Sequence, residues 1–411
     1  MKVVFLICSI VGFVYFFFKK RKFDFFTMAY ISANVYFLPG FFGYVVYYPA
    51  ETKVEILAEV YLVMTCVLTS ILMTSIIYDF VGRKQVKQIK FKNSELNLRM
   101  LLIISIASFV LMFITMGNQL FVTDKVILMS NLNRFYLVWS VSTSLLIITA
   151  FIERKIKIVC FGFIFLAFDI YLGFRSNFAI SVISIFTIYM NEKNFHRLII
   201  GNFKLFVFGG IAAVFFFVYK QIHAVIKLGR WDIVTERLVD LNFYFNSIIH
   251  SEPFVIQSTL NEVINQNFTV SPSYLMNILY LFIFFAPQLG ANIKDFNDYF
   301  QPTLFPNVDF GMASNIWAEM YSINGWSTLI LFIIFFNIVI FLANKFLLIE
   351  NSSIKSVVTL IMIYWVFYIH RNSILYEINL SKRILFIWII SMMGSMIFLG
   401  LFRKRLTRDN V

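Results

Sequence analysis

Between Ile158 and Met190 only Asp169 and Arg175 carry formal charge. Apolar tracts of this kind recur along most of the 411 residues. With 60% hydrophobic and 14% charged residues, the chain has too few charges to cover a water-facing surface. Repeated apolar runs with so little charge describe a polytopic membrane protein. The expected fold class is all-α, a transmembrane helical bundle.

About eleven spans are expected, near 3–18, 25–48, 56–78, 100–116, 135–152, 158–173, 177–190, 205–219, 328–344, 356–370 and 384–402. The N-terminal stretch "MKVVFLICSIVGFVYFFFKKRK" lacks a small-residue cleavage site and reads as a retained first span. Basic clusters then alternate along the chain, at 19–22, 82–99, 154–157, 193–204, 345–355 and 403–408. They hold 22 of the 35 Lys and Arg residues. The positive-inside rule puts these connections in the cytoplasm, the N-terminus outside and the C-terminus inside. A net charge of +13 therefore requires no nucleic acid partner. The run at 274–290 is too short for a confident twelfth span and reads as a buried or re-entrant element.

Three regions follow: spans one to eight over 1–219, a large external loop over 220–327, and the last three spans over 328–411. Within the loop, Val234, Leu238, Leu241, Phe245 and Ile248 recur at helical spacing, as do Ile256, Leu260 and Val263. Such amphipathic helices are expected to lie on the membrane surface and roof the bundle. Their acids read first as a solvated face. The stretch 286–329 is expected to be irregular but packed, through Trp317, Tyr321 and Trp326.

Cys8, Cys66 and Cys160 fall inside apolar runs, without metal-ligand spacing. No P-loop, HExxH or GxSxG motif occurs. Neither a metal nor any other cofactor is expected. Three features gather instead on the external side of this topology. They are Arg175 in "GFRSNF", His370 and Arg371 in "YIHRNS", and His223, Lys227 and Arg230 in "HAVIKLGRWD". A single arginine at a membrane boundary is often only an anchor. Several on the side that basic residues avoid suit a bound diphosphate, because guanidinium pairs bidentately with phosphate oxygens.

The turn "GFRSNF" (173–178), the large loop, its ending "SNIWAEMYSINGWSTLILF" (314–332) and "HRNS" (370–373) resemble the O-antigen polymerase family of integral membrane polysaccharide polymerases. The likeness covers the whole chain in topology and only these patches in sequence. One departure is the loop's middle, "FFAPQLGANIKDF", where a Pro-Arg pair of the family is missing. The resemblance implies a GT-C-like bundle in the bacterial inner membrane with a periplasmic loop. It implies a metal-independent glycosyltransferase that moves a growing glycan from undecaprenyl pyrophosphate onto the next lipid-linked repeat unit. The expected partners are that lipid-linked oligosaccharide, the bilayer and a chain-length regulator protein. Arg175, Arg371, Glu319 and His370 would form the catalytic group. Arg230, His223, Asp169, His250 and Tyr321 would bind substrate, and Glu319, Asp169, His250 and His370 are the candidates for the base. The alternatives are an O-antigen ligase, a lipid-linked oligosaccharide flippase or a membrane scaffold. A long loop and nearly charge-free spans count against transport.

Overall fold

The computed structural model describes residues 1–19, 21–81, 94–122, 125–191, 218–219, 222–223, 225–271, 273–281, 283, 294–308 and 311–408. The basic stretch 82–93, the residues Lys193, Arg197 and Lys204, most of the span expected at 205–219, and the loop middle at 284–293 lie outside them. The described residues are almost all helical. Six helices are long and apolar enough to cross a membrane: Ala58–Val81, Glu95–Phe121, Arg134–Ile152, Ile316–Phe346, Ser352–Arg371 and Ile374–Leu399. Shorter apolar helices run over Lys2–Phe18, Phe25–Tyr36, Ile156–Tyr171 and Ser176–Asn191.

Small and hydroxyl side chains join the helices where no hydrophobic force can. Ser105 meets Thr143 at 2.5 Å, Thr149 donates to Ser356 at 2.9 Å, and Asn337 donates to Ser70 at 3.1 Å. One end of the bundle is closed by a buried ionic knot. Arg21 pairs with Asp24 at 2.7 Å and with Asp79 at 3.4 Å, and Tyr15 donates to Asp79 at 2.6 Å. Around it, Asn191 donates to the Phe23 carbonyl and Asn344 accepts the Phe25 amide. Arg21 is thus one basic residue of the first cluster that is neither exposed nor unpaired.

Three expectations need correction. The span expected at 25–48 stops at Tyr36. Pro39 cannot donate to a helix ladder, and Gly43, at φ +93°, closes a short helix over Leu38–Phe42. The β-branched and aromatic run after it pairs as an antiparallel hairpin, Tyr44–Tyr47 with Thr52–Glu55, in the register Tyr44↔Glu55. The amphipathic stretch 231–249 is two helices, Trp231–Val239 and Leu241–Ile249. Asp240 breaks it with extended backbone and caps the second helix through the Asn242 amide at 2.9 Å. The helix Glu252–Asn265 is not a surface helix with one solvated face: Ile256, Leu260 and Val263 are fully buried, as are Gln257, Thr259 and Asn261 on its other sides, and it packs against the hairpin and the helix that starts at Ile316.

That last helix also begins before the expected irregular stretch ends. Asn315 caps it by accepting from the amides of Trp317 and Ala318. It is interrupted at Asn324 and Gly325, and Gly325 holds φ +58° and ψ −139°. Glu59, at the start of the Ala58–Val81 helix, spans the interruption. Its Oε1 accepts from the Tyr321 hydroxyl at 2.7 Å and from the Trp326 indole at 2.9 Å. Of the run at 274–290 the described part is the helix Ser273–Tyr280, about 12 Å long at 1.5 Å per residue, with Leu281 and Ile283; residues 284–290 lie outside the described residues.

Candidate functional site

The end of the bundle away from the ionic knot collects most of the polar residues singled out above. The helix that starts at Ser352 widens into a π-helical turn over Tyr364–Tyr368 and tightens again over Ile369–Arg371. Irregular turns of this kind often mark functional positions. The final helix begins three residues later at Ile374. Its first amide is satisfied by Glu319 Oε2 at 3.0 Å, and the Ser373 hydroxyl accepts from the Tyr376 amide at 3.3 Å.

Arg371 stands in this connection. Its guanidinium meets Glu252 at 2.5 Å and lies 5.2 Å from the centroid of the Tyr368 ring. Arg175 approaches from another side. It opens the helix Ser176–Asn191, where its carbonyl accepts the Ala179 amide at 3.0 Å. The turn before it is closed by Gly173 at φ +93°, a conformation costly for any residue with a side chain. A Cβ there would also lie 2.8 Å from the His223 ring. Nearby, the Tyr219 hydroxyl donates to the Ile170 carbonyl at 3.1 Å.

Asp169 sets the height of that turn. Fully buried, it accepts from the Tyr136 hydroxyl at 2.6 Å and from Asn177 at 2.9 Å. Asn177 in turn accepts from the Tyr364 hydroxyl at 2.8 Å. This network ties Arg175's turn to the turn that carries Arg371, so Asp169 positions the site.

Glu319 and His370 are both buried. Glu319 Oε1 accepts from the Tyr274 hydroxyl and Oε2 from the Ile374 amide, so two donors occupy its two oxygens. Burial and the adjacent Glu319 carboxylate both push the Tyr274 hydroxyl far above its ordinary range. His370 Nδ1 accepts from the Trp317 indole at 3.0 Å, and its ring stacks on Tyr36 at 5.5 Å. An accepting Nδ1 leaves the proton on Nε2, which is buried without a partner. A base needs the opposite arrangement at its free nitrogen.

Three candidates are not drawn in. Arg230 pairs locally with Asp232 at 2.9 Å, and both are exposed. His250 contacts Tyr48 at 3.0 Å and Glu51 at 3.7 Å, at the hairpin turn. Tyr321 is committed to Glu59. His223 stays near the Arg175 turn, 3.2 Å from the Tyr171 carbonyl.

The structure adds residues that the sequence reading passed over. Glu252 is the ionic partner of Arg371. Glu377 is fully buried and accepts from Asn372 at 2.7 Å through Oε1, while Oε2 has no hydrogen-bond partner. Arg383, which a span starting at 384 puts at the membrane boundary, lies nine residues into the final helix, about 13 Å along its axis. Asp295 lies beside the site, where burial pushes its carboxyl up and the Ser373 hydroxyl opposes the shift. Among the described residues no group of three His, Cys, Asp or Glu side chains could hold a metal ion.

No family model matches the sequence, and no curated protein or solved structure is similar to it.

Proposed function

We propose that this protein is a membrane glycosyltransferase of the O-antigen polymerase type, which extends a lipid-linked surface polysaccharide. The observation that carries the reading is the buried hydrogen-bond network from Asp169 through Asn177 to Tyr364, which ties the turn that carries Arg175 to the helix end that carries Arg371 at one end of a bundle of apolar helices. The sequence patches that resemble the family include both arginines.

In this reading the substrate is an oligosaccharide on undecaprenyl pyrophosphate. A sugar hydroxyl of the next lipid-linked unit attacks the anomeric carbon of the growing chain. The bond from that carbon to the diphosphate breaks, and the lipid diphosphate leaves with the electron pair. Fixed guanidinium groups stabilise the charge that develops on the leaving oxygen, and they need no reorganisation at that moment. The acceptor proton passes to a carboxylate. Glu319 is fully buried with a donor on each oxygen, whereas Glu252 keeps partial exposure beside Arg371 and is the better candidate. The site faces the periplasm, the chain crosses the inner membrane about eleven times in a GT-C-like arrangement, and 220–327 is external. The N-terminus is then periplasmic and the C-terminus cytoplasmic. A chain-length regulator protein would dock from the same side.

The test is a gene deletion complemented with variants, read as surface polysaccharide on a gel. Loss of long chains with single-unit caps retained supports a polymerase, whereas loss of all caps supports a ligase or flippase. Arg175→Ala should abolish polymer at unchanged protein level. Arg175→Lys should rescue poorly, because a point charge loses the bidentate fork. Near-normal polymer from Arg175→Ala would end the proposal.

A further inference from the structure

Two residues of the basic stretch "HAVIKLGRWD" bind backbone, in a row with a tyrosine. The described residues of 218–227 are helical. Tyr219, His223 and Lys227 follow one another at spacings of four, so they share one helix face. Each meets a backbone carbonyl. The Tyr219 hydroxyl donates to Ile170 at 3.1 Å, His223 Nε2 lies 3.2 Å from Tyr171, and Lys227 Nζ donates to Val122 at 3.3 Å. A carbonyl only accepts, so His223 Nε2 carries a proton. The Tyr219 and His223 rings pack at 5.3 Å, and Lys227 Nζ lies 5.8 Å from the centroid of the Tyr171 ring. The row ends there: Leu228 and Gly229 are exposed, and Arg230 turns to Asp232.

The three acceptors belong to two helix ends. Ile170 and Tyr171 close the helix Ile156–Tyr171, and Val122 follows the short 3₁₀ helix Gly117–Phe121. The last carbonyls of a helix have no partner within it, and a cation such as Lys227 is favoured beside them. Helices usually find such caps in their own flanking residues. Here a separate helix supplies them, to both ends at once. Phe121 and Tyr171 join the two ends, with ring centroids 6.4 Å apart. The His223 ring also covers Gly173, too closely for any Cβ to fit beneath it. Gly173 and Phe174 complete the turn by donating to the Ile170 and Asp169 carbonyls, both at 2.9 Å, and Arg175 is the next residue.

We propose that this row is a brace on the Arg175 turn, with His223 as its positioning residue. In this role His223 and Lys227 touch backbone rather than substrate. The Asp169 network holds the turn through Asn177, which follows Arg175 in the chain. The brace holds it through Ile170, Tyr171 and Gly173, which precede Arg175. Without His223 the Tyr171 carbonyl loses its donor and Gly173 loses its cover. The turn then opens more often, and Arg175 is no longer held in one place. That Arg175 acts on substrate rests on the proposed function; the brace rests on these contacts alone.

Hydrogen–deuterium exchange of the full-length protein in neutral detergent reads the turn through the amides of Gly173 and Phe174. His223→Ala should speed their exchange by about fivefold or more, the scale of one lost hydrogen bond. His223→Gln, whose amide can still donate to the Tyr171 carbonyl, should stay within about twofold of the wild type. Lys227→Met should speed exchange over 117–122. Should His223→Ala fail to fold, Tyr219→Phe removes another donor of the same row and decides alone, and its exchange should rise as well. Wild-type exchange in His223→Ala, or in Tyr219→Phe where the Ala variant is unfolded, overturns the brace. Exchange in His223→Gln as fast as in His223→Ala overturns it too. The same variants are scored for surface polymer in the deletion strain. Faster exchange with normal polymer keeps the brace and leaves the polymerase reading to Arg175→Ala. Polymer lost in His223→Ala at wild-type exchange makes His223 a substrate contact, which sinks the brace and keeps the polymerase reading.

Discussion

Glu252 and Arg371 stand 2.5 Å apart although 119 residues separate them in the sequence. The pair fastens the buried loop helix to the turn between the last two helices. Both side chains keep partial exposure, at 23% and 30%, so water screens part of the attraction. Glu252→Ala should cost about 1–3 kcal/mol, between the values for exposed and buried pairs. A double-mutant cycle with Arg371→Ala, read by thermal unfolding in detergent, isolates the coupling. Additive single effects would mean that the pair is incidental.

Gly325 makes a sharper stability prediction. Its φ of +58° with ψ of −139° is a region that essentially only glycine occupies, yet a Cβ there would meet nothing within 4 Å. Gly325→Ala should therefore destabilise by about 1–3 kcal/mol through backbone strain alone. An unchanged unfolding temperature would show that the interruption at Asn324–Gly325 can relax into regular helix.

Glu59 secures the same interruption from outside. Glu59→Ala leaves the Tyr321 hydroxyl and the Trp326 indole without their acceptor. The expected loss is about 1–3 kcal/mol for each donor that water cannot reach. Glu59→Gln, which keeps a carbonyl oxygen, should recover most of it.

Arg230 supplies the contrasting case. It pairs with Asp232 two residues away, and both are exposed. Arg230→Ala should change stability by less than about 0.5 kcal/mol and leave polymer length unchanged. A loss of polymer as large as that of Arg371→Ala would return Arg230 to the site.

Asp295 carries a pH prediction. Burial raises its folded pKa above the ordinary aspartate value, so the folded state favours the protonated carboxyl. That contribution to stability is present below the ordinary carboxylate range and is lost as pH rises through the raised folded value. Asp295→Asn should flatten this part of the stability–pH curve. An identical curve would mean that water reaches the carboxylate.

These outcomes bear on what the sequence could reveal. Apolar periodicity located the long helices, because burial in lipid or protein leaves a continuous signal in composition. It overran at 25–48, where the apolar residues continue but Pro39 and Gly43 end the helix. It underran at Ile316, because the polar side chains of Glu319, Ser322 and Asn324 look like loop until their partners are known. Arg175 and Arg371 were visible as isolated cations in apolar surroundings. Glu252 and Glu59 were not, since a carboxylate in a polar loop or at a helix start looks solvated until folding brings it to an arginine or an indole. Arg383 was hidden by a boundary set ten residues late.

The knot of Arg21, Asp24 and Asp79 has a mechanical consequence. Arg21 is 2% exposed, and separating it from its acids would strand a buried charge. At the opposite end the turn of Arg175 is held by the buried Asp169 network, whereas the turn of Arg371 is held to the loop helix by a pair that keeps partial exposure. Local opening costs least where the bonds are open to water. The contact between the loop helix and the Arg371 turn is thus the clasp that opens first, while the knot below and the Asp169 network beside it stay fastened.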